Sequence, residues 1–476
     1  MSAALSLSLN LGAQLKPQEA SASPALYTLG GTDQLLPFSA GAWGGRSSVV
    51  AMNPAAMSWL RPSERKSVGF LWVNQALSLS YLERPEGVDV PDEVYDARPL
   101  SASSGLKPLP SSALPARGLN GGAEQQLALQ LSWSAQLIGE LSVGVTSLVP
   151  LHRFELQSPS FPDERAQYFG NSLGFERWGD SLEGLSTALG LAHPVGEWLS
   201  LGVGLNMNTS SRAQSDVFLG DVNYDGVSYV APRVEVDTAL SPFASLEGRL
   251  KLEQSELRLH VSAHAPERVE VEGVGEVQVW GFPYPEGERS IPQRFKQVYR
   301  SLPLRAQTGL SWRHPAGHGV ALGLGWARWS QQLNRAGERV AWSDQWDLKL
   351  GAVRQLDQLS VGLDLRWRPS PVPEQIGRTS YVDPDQLASA LSLRYELSER
   401  LKLQLQAQAH RLLPRRDEKD PRALDPVLDE LPDSSLAGDE RSLESSVGLQ
   451  TNNPGYPGYL SEGWVWVTYL GLSLEL

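Results

Sequence analysis

The chain has no cysteine in its 476 residues, which excludes disulfides and thiolate metal sites but says little about compartment. It also lacks any run of about 18 apolar residues, so no α-helix is expected to cross a bilayer. Positive charge is scarce: 41 Lys and Arg stand against 54 Asp and Glu, a net charge of −13. With no basic face to neutralise phosphates, no nucleic-acid partner is expected. Motifs of catalysis are missing too. There is no G-x-S-x-G elbow, no H-E-x-x-H pair and no G-x-x-x-x-G-K-[ST] loop. No nucleophile–base pair stands out, so the chain is not expected to be an enzyme, and no cofactor is implied.

Glycine and tryptophan are plentiful instead, at 44 and 15 residues. A soluble chain of this length would divide into domains of roughly 100–200 residues, but the apolar pattern points elsewhere. Leu127, Leu129, Leu131, Trp133, Ala135 and Leu137 alternate with Ala128, Gln130, Ser132, Ser134 and Gln136. After Gly139-Glu140, Leu141, Val143 and Val145 alternate with Ser142, Gly144 and Thr146. This is period-two patterning on both arms of a hairpin. The same alternation returns over residues 199–208, 320–327, 359–368, 401–410 and 464–476.

The connections decide the architecture. Short turns fall at residues 138–140, 194–197, 253–255, 314–318, 355–358 and 398–400. Longer segments lie between them, at 82–123, 151–183, 213–240, 273–300, 331–343, 369–385 and 414–463. Together they give an all-β fold, a transmembrane antiparallel up-and-down β-barrel of about fourteen strands. An even count puts both ends of the barrel on the short-turn side. Leu201, Val203, Leu322, Leu324, Leu403 and Leu405 are expected to face lipid, and Trp198, Trp312, Trp326, Trp367, Tyr395, Trp464 and Trp466 fit aromatic girdles. The opposite faces carry Glu247, Arg249, Lys251, Arg258, His260 and His264. Such faces suit a polar lumen with paired charges better than the core of a soluble sandwich or propeller.

Residues 23–65 precede the first strand, and their centre, Gly41–Leu60, reads GAWGGRSSVVAMNPAAMSWL. Glycines at 41, 44 and 45 open backbone conformations closed to other residues. Pro54 fixes its own φ and pushes Asn53 toward an extended shape. The stretch is too apolar for a solvated tail and too irregular for a helix or a strand. It is expected to be a plug inside the barrel of residues 66–476, with Asn53, Pro54 and Ala55 forming the turn that seats it. Residues 1–22 have the length of an export signal and a small-residue site at Ala20-Ser21-Ala22, but no Lys or Arg before Lys16. They read as an incomplete export signal or a disordered arm.

Three features bear on ligands. His260 and His264 share a strand face about 13 Å apart at ~3.3 Å per residue, too far to chelate one ion. Asp221, Asn223 and Asp225 copy the start of a calcium loop, but Pro232 stands where its bidentate Glu belongs. No metal is therefore assigned; a polar outer loop is the default. The segment 151–183 carries Phe154, Phe161, Phe169, Phe175 and Trp178 among charges. Such aromatics either pack the loop onto the barrel rim or form an apolar landing site at its mouth.

At this point the chain resembles the FadL family, outer-membrane transporters of long-chain fatty acids and other hydrophobic compounds. The resemblance rests on Asn53-Pro54-Ala55 after a Gly-rich stretch and before the first strand, on the strand count, and on the segment Pro371–Tyr395 late in the barrel. It implies passive uptake of a hydrophobic small molecule through a plugged barrel, in the outer membrane of a Gram-negative-type bacterium. The chain is then expected to act as a monomer surrounded by outer-membrane lipid. Related readings are a barrel that shuttles surface proteins and a structural or adhesive barrel.

Overall fold

The computed structural model describes residues 25–62, 65–82, 123–154, 185–209, 217–220, 227–236, 238–281, 284–334, 337–377, 379–398, 400–420 and 458–474, with short pieces at 160–162, 172–175, 178, 423, 427–428 and 447–448. Fourteen strands close into an antiparallel barrel in chain order. They are β1 (Lys66–Tyr81), β2 (Ala123–Gln136), β3 (Ser142–Phe154), β4 (Leu185–Val195), β5 (Leu199–Thr209), β6 (Thr238–Leu252) and β7 (Ser255–His264). Then come β8 (Arg305–Arg313), β9 (His318–Ala327), β10 (Gln345–Leu356), β11 (Leu359–Arg368), β12 (Gln386–Ser398), β13 (Leu401–Glu418) and β14 (Gly458–Leu474). β1 pairs with β14 from Ser67↔Ser473 to Tyr81↔Tyr459, which leaves no open edge in the wall.

The alternation read from the sequence is the in–out alternation of the wall. Leu201, Val203, Leu322 and Leu405 are exposed on the outside, with Leu246, Leu348, Leu365 and Leu470. Inside, Gln404, Gln406, Gln408 and His410 of β13, Asp364, Arg366 and Arg368 of β11, and Glu247, Arg258, His260 and His264 of β6 and β7 are buried. Lumen charges pair across strands: Arg366 Nη2 lies 2.6 Å from Asp347 Oδ2, and Glu256 accepts from both Arg249 and Arg258. Tight turns join the strands at one end. Gly139, Gly196 and Gly317 supply left-handed positions there, and Asp357 (φ 48°) fills one without glycine.

Two sequence expectations need correction. The segments 213–240 and 273–300, read as loops, pair instead. Val217–Gly220, Val227–Val236, Glu267–Gly281 and Tyr284–Leu302 form a four-stranded antiparallel sheet at the long-loop end. The reason is visible in the chain: Val269, Val271, Val277 and Val279 share one parity and Glu270, Glu272, Glu276 and Gln278 the other, with Val274 out of phase. The lumen is also not polar throughout. On β1 and β14 the inward residues Leu71, Val73, Leu77, Leu79, Val465, Val467 and Tyr469 are buried and mainly apolar, with Gln75, Ser461 and Ser473 buried on the same faces.

The segment before β1 packs against inward-facing side chains of the wall. It consists of short pieces, α-helical at Ala25–Leu29 and Ala40–Trp43 and 3-10 at Ser47–Ala51 and Pro54–Trp59. Pro54 opens the last of these, where its missing N–H costs nothing. Short pieces leave many backbone groups without internal partners, and a buried carbonyl needs a donor. The lumen side chains provide donors. Gln406 Nε2 bonds Gln34 O at 2.8 Å, Gln408 Nε2 bonds Leu29 O at 3.2 Å, Ser311 Oγ bonds Ala42 O at 2.8 Å, and Ser200 Oγ bonds Ala55 O at 2.8 Å. Asp364 does the reverse, accepting from the Phe38 and Ser39 amides at 2.7 and 2.9 Å and from Ser39 Oγ at 2.8 Å. Apolar contact adds to this, with Val49, Val50, Ala56 and Met57 packed on Ala188, Ala192 and Phe243.

Candidate functional site: a cavity between the N-terminal segment and the wall

Asn53, Pro54 and Ala55 lie at the start of the last 3-10 piece, in contact with the wall. Asn53 Nδ2 donates to Gly41 O (2.9 Å) and to Glu247 Oε2 (2.5 Å), tying two turns of the segment to β6. The Ala55 amide donates to Ser245 Oγ at 2.9 Å. The backbone approaches the wall closely enough that a Cβ on Gly202 would lie 2.3 Å from Ala55 N. Gly362 takes the same part on the opposite side, where a Cβ would lie 2.3 Å from Leu35 O.

Beside this seat a cavity remains between the segment and strands β4 to β11. Tyr27, Gly30, Phe38, Ala51 and Met52 form one side of it, and Asn206, His264, Trp326, Lys349 and Arg366 are among the residues of the other. Its lining carries three cations, Arg305, Lys349 and Arg366, against one carboxylate, Asp347. Arg366 places both Nε (3.0 Å) and Nη2 (2.6 Å) on Asp347 Oδ2, and Lys349 Nζ lies 3.7 Å from Asp347 Oδ1. Arg305 stands over the Tyr27 ring at 4.5 Å, and its buried Nε has no hydrogen-bond partner among the described residues. His264 is held by stacking on Phe243 (4.7 Å) and by Asn206 Nδ2 at 3.2 Å from its Nδ1. These cations come from separate strands, β8, β10 and β11, so no local motif announces them; each is the inward member of an alternating pair.

The loop aromatics part company. Phe175 and Trp178 are buried, in one cluster with the apolar inner face of β1 and β14. Phe175 forms a parallel bridge with Val382, and Trp178 meets the His410 ring edge-on at 5.2 Å. Phe154 lies at the end of β3 and Phe161 in the short strand Ser160–Pro162; their side chains, and Phe169 altogether, lie outside the described residues. Asp221, Asn223 and Asp225 lie outside them as well.

The neighbouring segment 369–385 is bound tightly to β13. Arg415 donates to Val372 O (2.9 Å), Asp383 O (3.1 Å) and Pro373 O (2.6 Å). Lys419, just past the strand, donates to Gly377 O at 2.9 Å, to Thr379 O and to Ser380 Oγ at 3.0 Å. Burial pushes Lys419 down to about 8 although Asp417 beside it opposes the shift.

No protein-family model matches the sequence, and no curated protein matches it. Solved structures do match. A FadL homologue of Pseudomonas aeruginosa superposes with a TM-score of 0.55 at 13 % identity, covering 97 % of this chain and 99 % of its own. The P. putida toluene transporter TodX gives 0.51 at 9 % identity, covering 96 % and 99 %. The monoaromatic hydrocarbon channel CymD gives 0.50 at 11 % identity, covering 95 % and 99 %. At such identities the likeness is one of fold, and it extends over nearly the whole of each chain. The resemblance read from Asn53-Pro54-Ala55 and the strand count therefore holds at that level: this chain has the fold of the FadL-type channels.

Proposed function

We propose that the barrel lies in the outer membrane of a Gram-negative-type bacterium and admits hydrophobic molecules passively, with residues 25–60 acting as its hatch. Transport rather than catalysis is its role. Among hydrophobic cargoes we favour amphipathic acids, long-chain fatty acids being the type. The observation that carries this reading is the two-sided cavity. Phe38, Ala51, Met52 and Trp326 offer an apolar surface for a hydrocarbon chain. Arg305 Nε, buried without a hydrogen-bond partner among the described residues, is the donor that a cargo carboxylate would take. TodX and CymD, whose names speak of toluene and monoaromatic hydrocarbons, support the apolar half of this reading.

Equilibrium binding of dodecanoate and of naphthalene to the purified full chain tests it. Replacing Arg305 and Lys349 together by Gln should weaken dodecanoate about 10-fold or more and leave naphthalene unchanged. If the double variant binds both as before, the preference for acids is refuted and neutral hydrocarbons remain. If a correctly folded barrel binds neither, the transport reading itself is refuted.

A further inference from the structure

A second cavity opens at the short-turn end of the barrel. Gly45, Trp59, Leu60 and Arg61 of the N-terminal segment form one side of it, and the ends of β6, β7 and β8 form the other. Its lining is basic, in a chain whose net charge is −13. Five cations, Arg61, Arg249, Lys251, Arg258 and Arg313, stand against Glu253 and Glu256. Glu247 lies outside the lining, 3.5 Å from Arg258 Nη1, and counting it still leaves an excess of two positive charges. Charge of one sign gathered in a concave site with low-dielectric walls focuses the potential there. The pairing shows which cation is left over. Glu256 gives one oxygen to each of two arginines: Oε2 accepts from Arg249 Nε at 2.6 Å, and Oε1 accepts from Arg258 Nε. Lys251 stands across the β6–β7 rung from Glu256 and finds both oxygens taken. It has no ion pair or hydrogen bond among the described residues.

We propose that this cup binds a small multivalent oxyanion, a phosphate or phosphate ester, from the water at the short-turn mouth, and that the bound anion clamps residues 59–61 to β6 and β7. The guanidiniums are held in place before any ligand arrives. Arg249 lies over the Trp59 ring at 5.9 Å, Arg313 lies over the Trp43 ring at 4.3 Å, and Arg313 Nη2 donates to Gly44 O at 3.4 Å. The ligand class follows from the number and spread of the cations. A carboxylate matches one planar fork, whereas a phosphate offers three or more oxygens to donors on several sides. Position selects a dissolved anion over a lipid headgroup: Glu247, Arg249 and Lys251 share the inward parity of β6, while Leu246 and Leu250 face outward. The clamp follows from which elements contribute. Lys251 belongs to the wall and Arg61 to the segment, so an anion in reach of both joins them, beside the tie that Asn53 makes to Glu247. Neither the binding nor the clamp depends on what the barrel transports.

Calorimetric titration of inorganic pyrophosphate into the purified full chain, at fixed ionic strength, tests the site. Binding should be saturable and one-to-one. The Arg61→Gln/Lys251→Gln variant, its folding checked by heat-modifiable gel migration, should bind about tenfold more weakly or worse. Arg354→Gln/Arg400→Gln removes two exposed arginines from the same end but outside the cup, and should bind as the parent does. Amide exchange tests the clamp. With pyrophosphate at about ten times its Kd, exchange over residues 57–61 should slow by about tenfold, the mass-action limit for a ligand that binds only the docked segment. No saturable binding by the parent overturns the site. Equal weakening by the two double variants, or equal binding of acetate, overturns it too, and reduces the effect to a diffuse ion atmosphere. Saturable binding that leaves exchange over residues 57–61 unchanged overturns the clamp.

Discussion

Adding one methyl group at Gly202 should loosen the whole N-terminal segment. A Cβ there would lie 2.3 Å from Ala55 N, 2.7 Å from Pro54 C and 2.9 Å from Ala55 Cα. All three are backbone atoms, so no rotamer change relieves the clash. Carbon contacts settle near 3.5–4.0 Å, so the segment must retreat by about 1 Å. That retreat stretches the bonds from Ala55 N to Ser245 Oγ and from Ser200 Oγ to Ala55 O, now 2.9 and 2.8 Å, past useful length. Each is worth about 0.5–1.5 kcal/mol, and overpacking adds ~1–3 kcal/mol. Gly202→Ala should therefore weaken docking of residues 53–56 by about 2–6 kcal/mol while the strand ladder of β4, β5 and β6 stays intact. Gly248→Ala is the control, because its Cβ meets nothing nearer than 3.9 Å. The assay is single-channel conductance in planar bilayers: rare openings in the parent and in Gly248→Ala, frequent ones in Gly202→Ala. A folded Gly202→Ala barrel as quiet as its parent would refute the argument.

Three further outcomes can be checked. Asp364→Ala strands the Phe38 and Ser39 amides and the Ser39 hydroxyl, and should raise amide exchange over residues 36–42 while costing about 1–3 kcal/mol. Val203→Arg and Leu322→Arg, both on the exposed apolar outside, should each destabilise the barrel in a bilayer by about 2–4 kcal/mol, read by refolding into liposomes. Raising the pH through the window between about 8 and the ordinary lysine value should protect residues 376–380 from proteolysis rather than expose them. In that window the undocked loop binds the proton that docked Lys419 has shed, so docking gains with pH; Lys419→Met should remove the dependence.

Much of the fold was legible because a barrel strand writes its two environments into alternate residues. Leu401 to His410 has one reading, apolar out and Gln in, and the structure agrees residue for residue from Lys402 to Gln408. β1 is harder, since Phe70 and Trp72 face out while Leu71 and Val73 face in. Where both faces are apolar the alternation vanishes, and with it the sign that the inner face has a cover of its own. The destination of Phe175 and Trp178 was hidden for the same reason, because it depends on a wall more than 280 residues away, at Val465–Tyr469. The cavity cations were illegible one by one. Arg305, Lys349 and Arg366 converge only after three strands are registered.

The seam between β1 and β14 also sets an order of events in time. Ser67 and Ser473 are partners although nearly the whole chain separates them. Bringing such distant ends together costs about 5 kcal/mol of chain entropy before any rung forms, so closure belongs late in assembly. The N-terminal segment must come later still, since Gln34, Ala42 and Ala55 find their donors on β13, β8 and β5, strands that face one another only in a closed cylinder. Until the seam zips, Val49, Val50 and Met57 have no wall to lie against, and the chain carries them as an exposed apolar stretch open to wrong contacts.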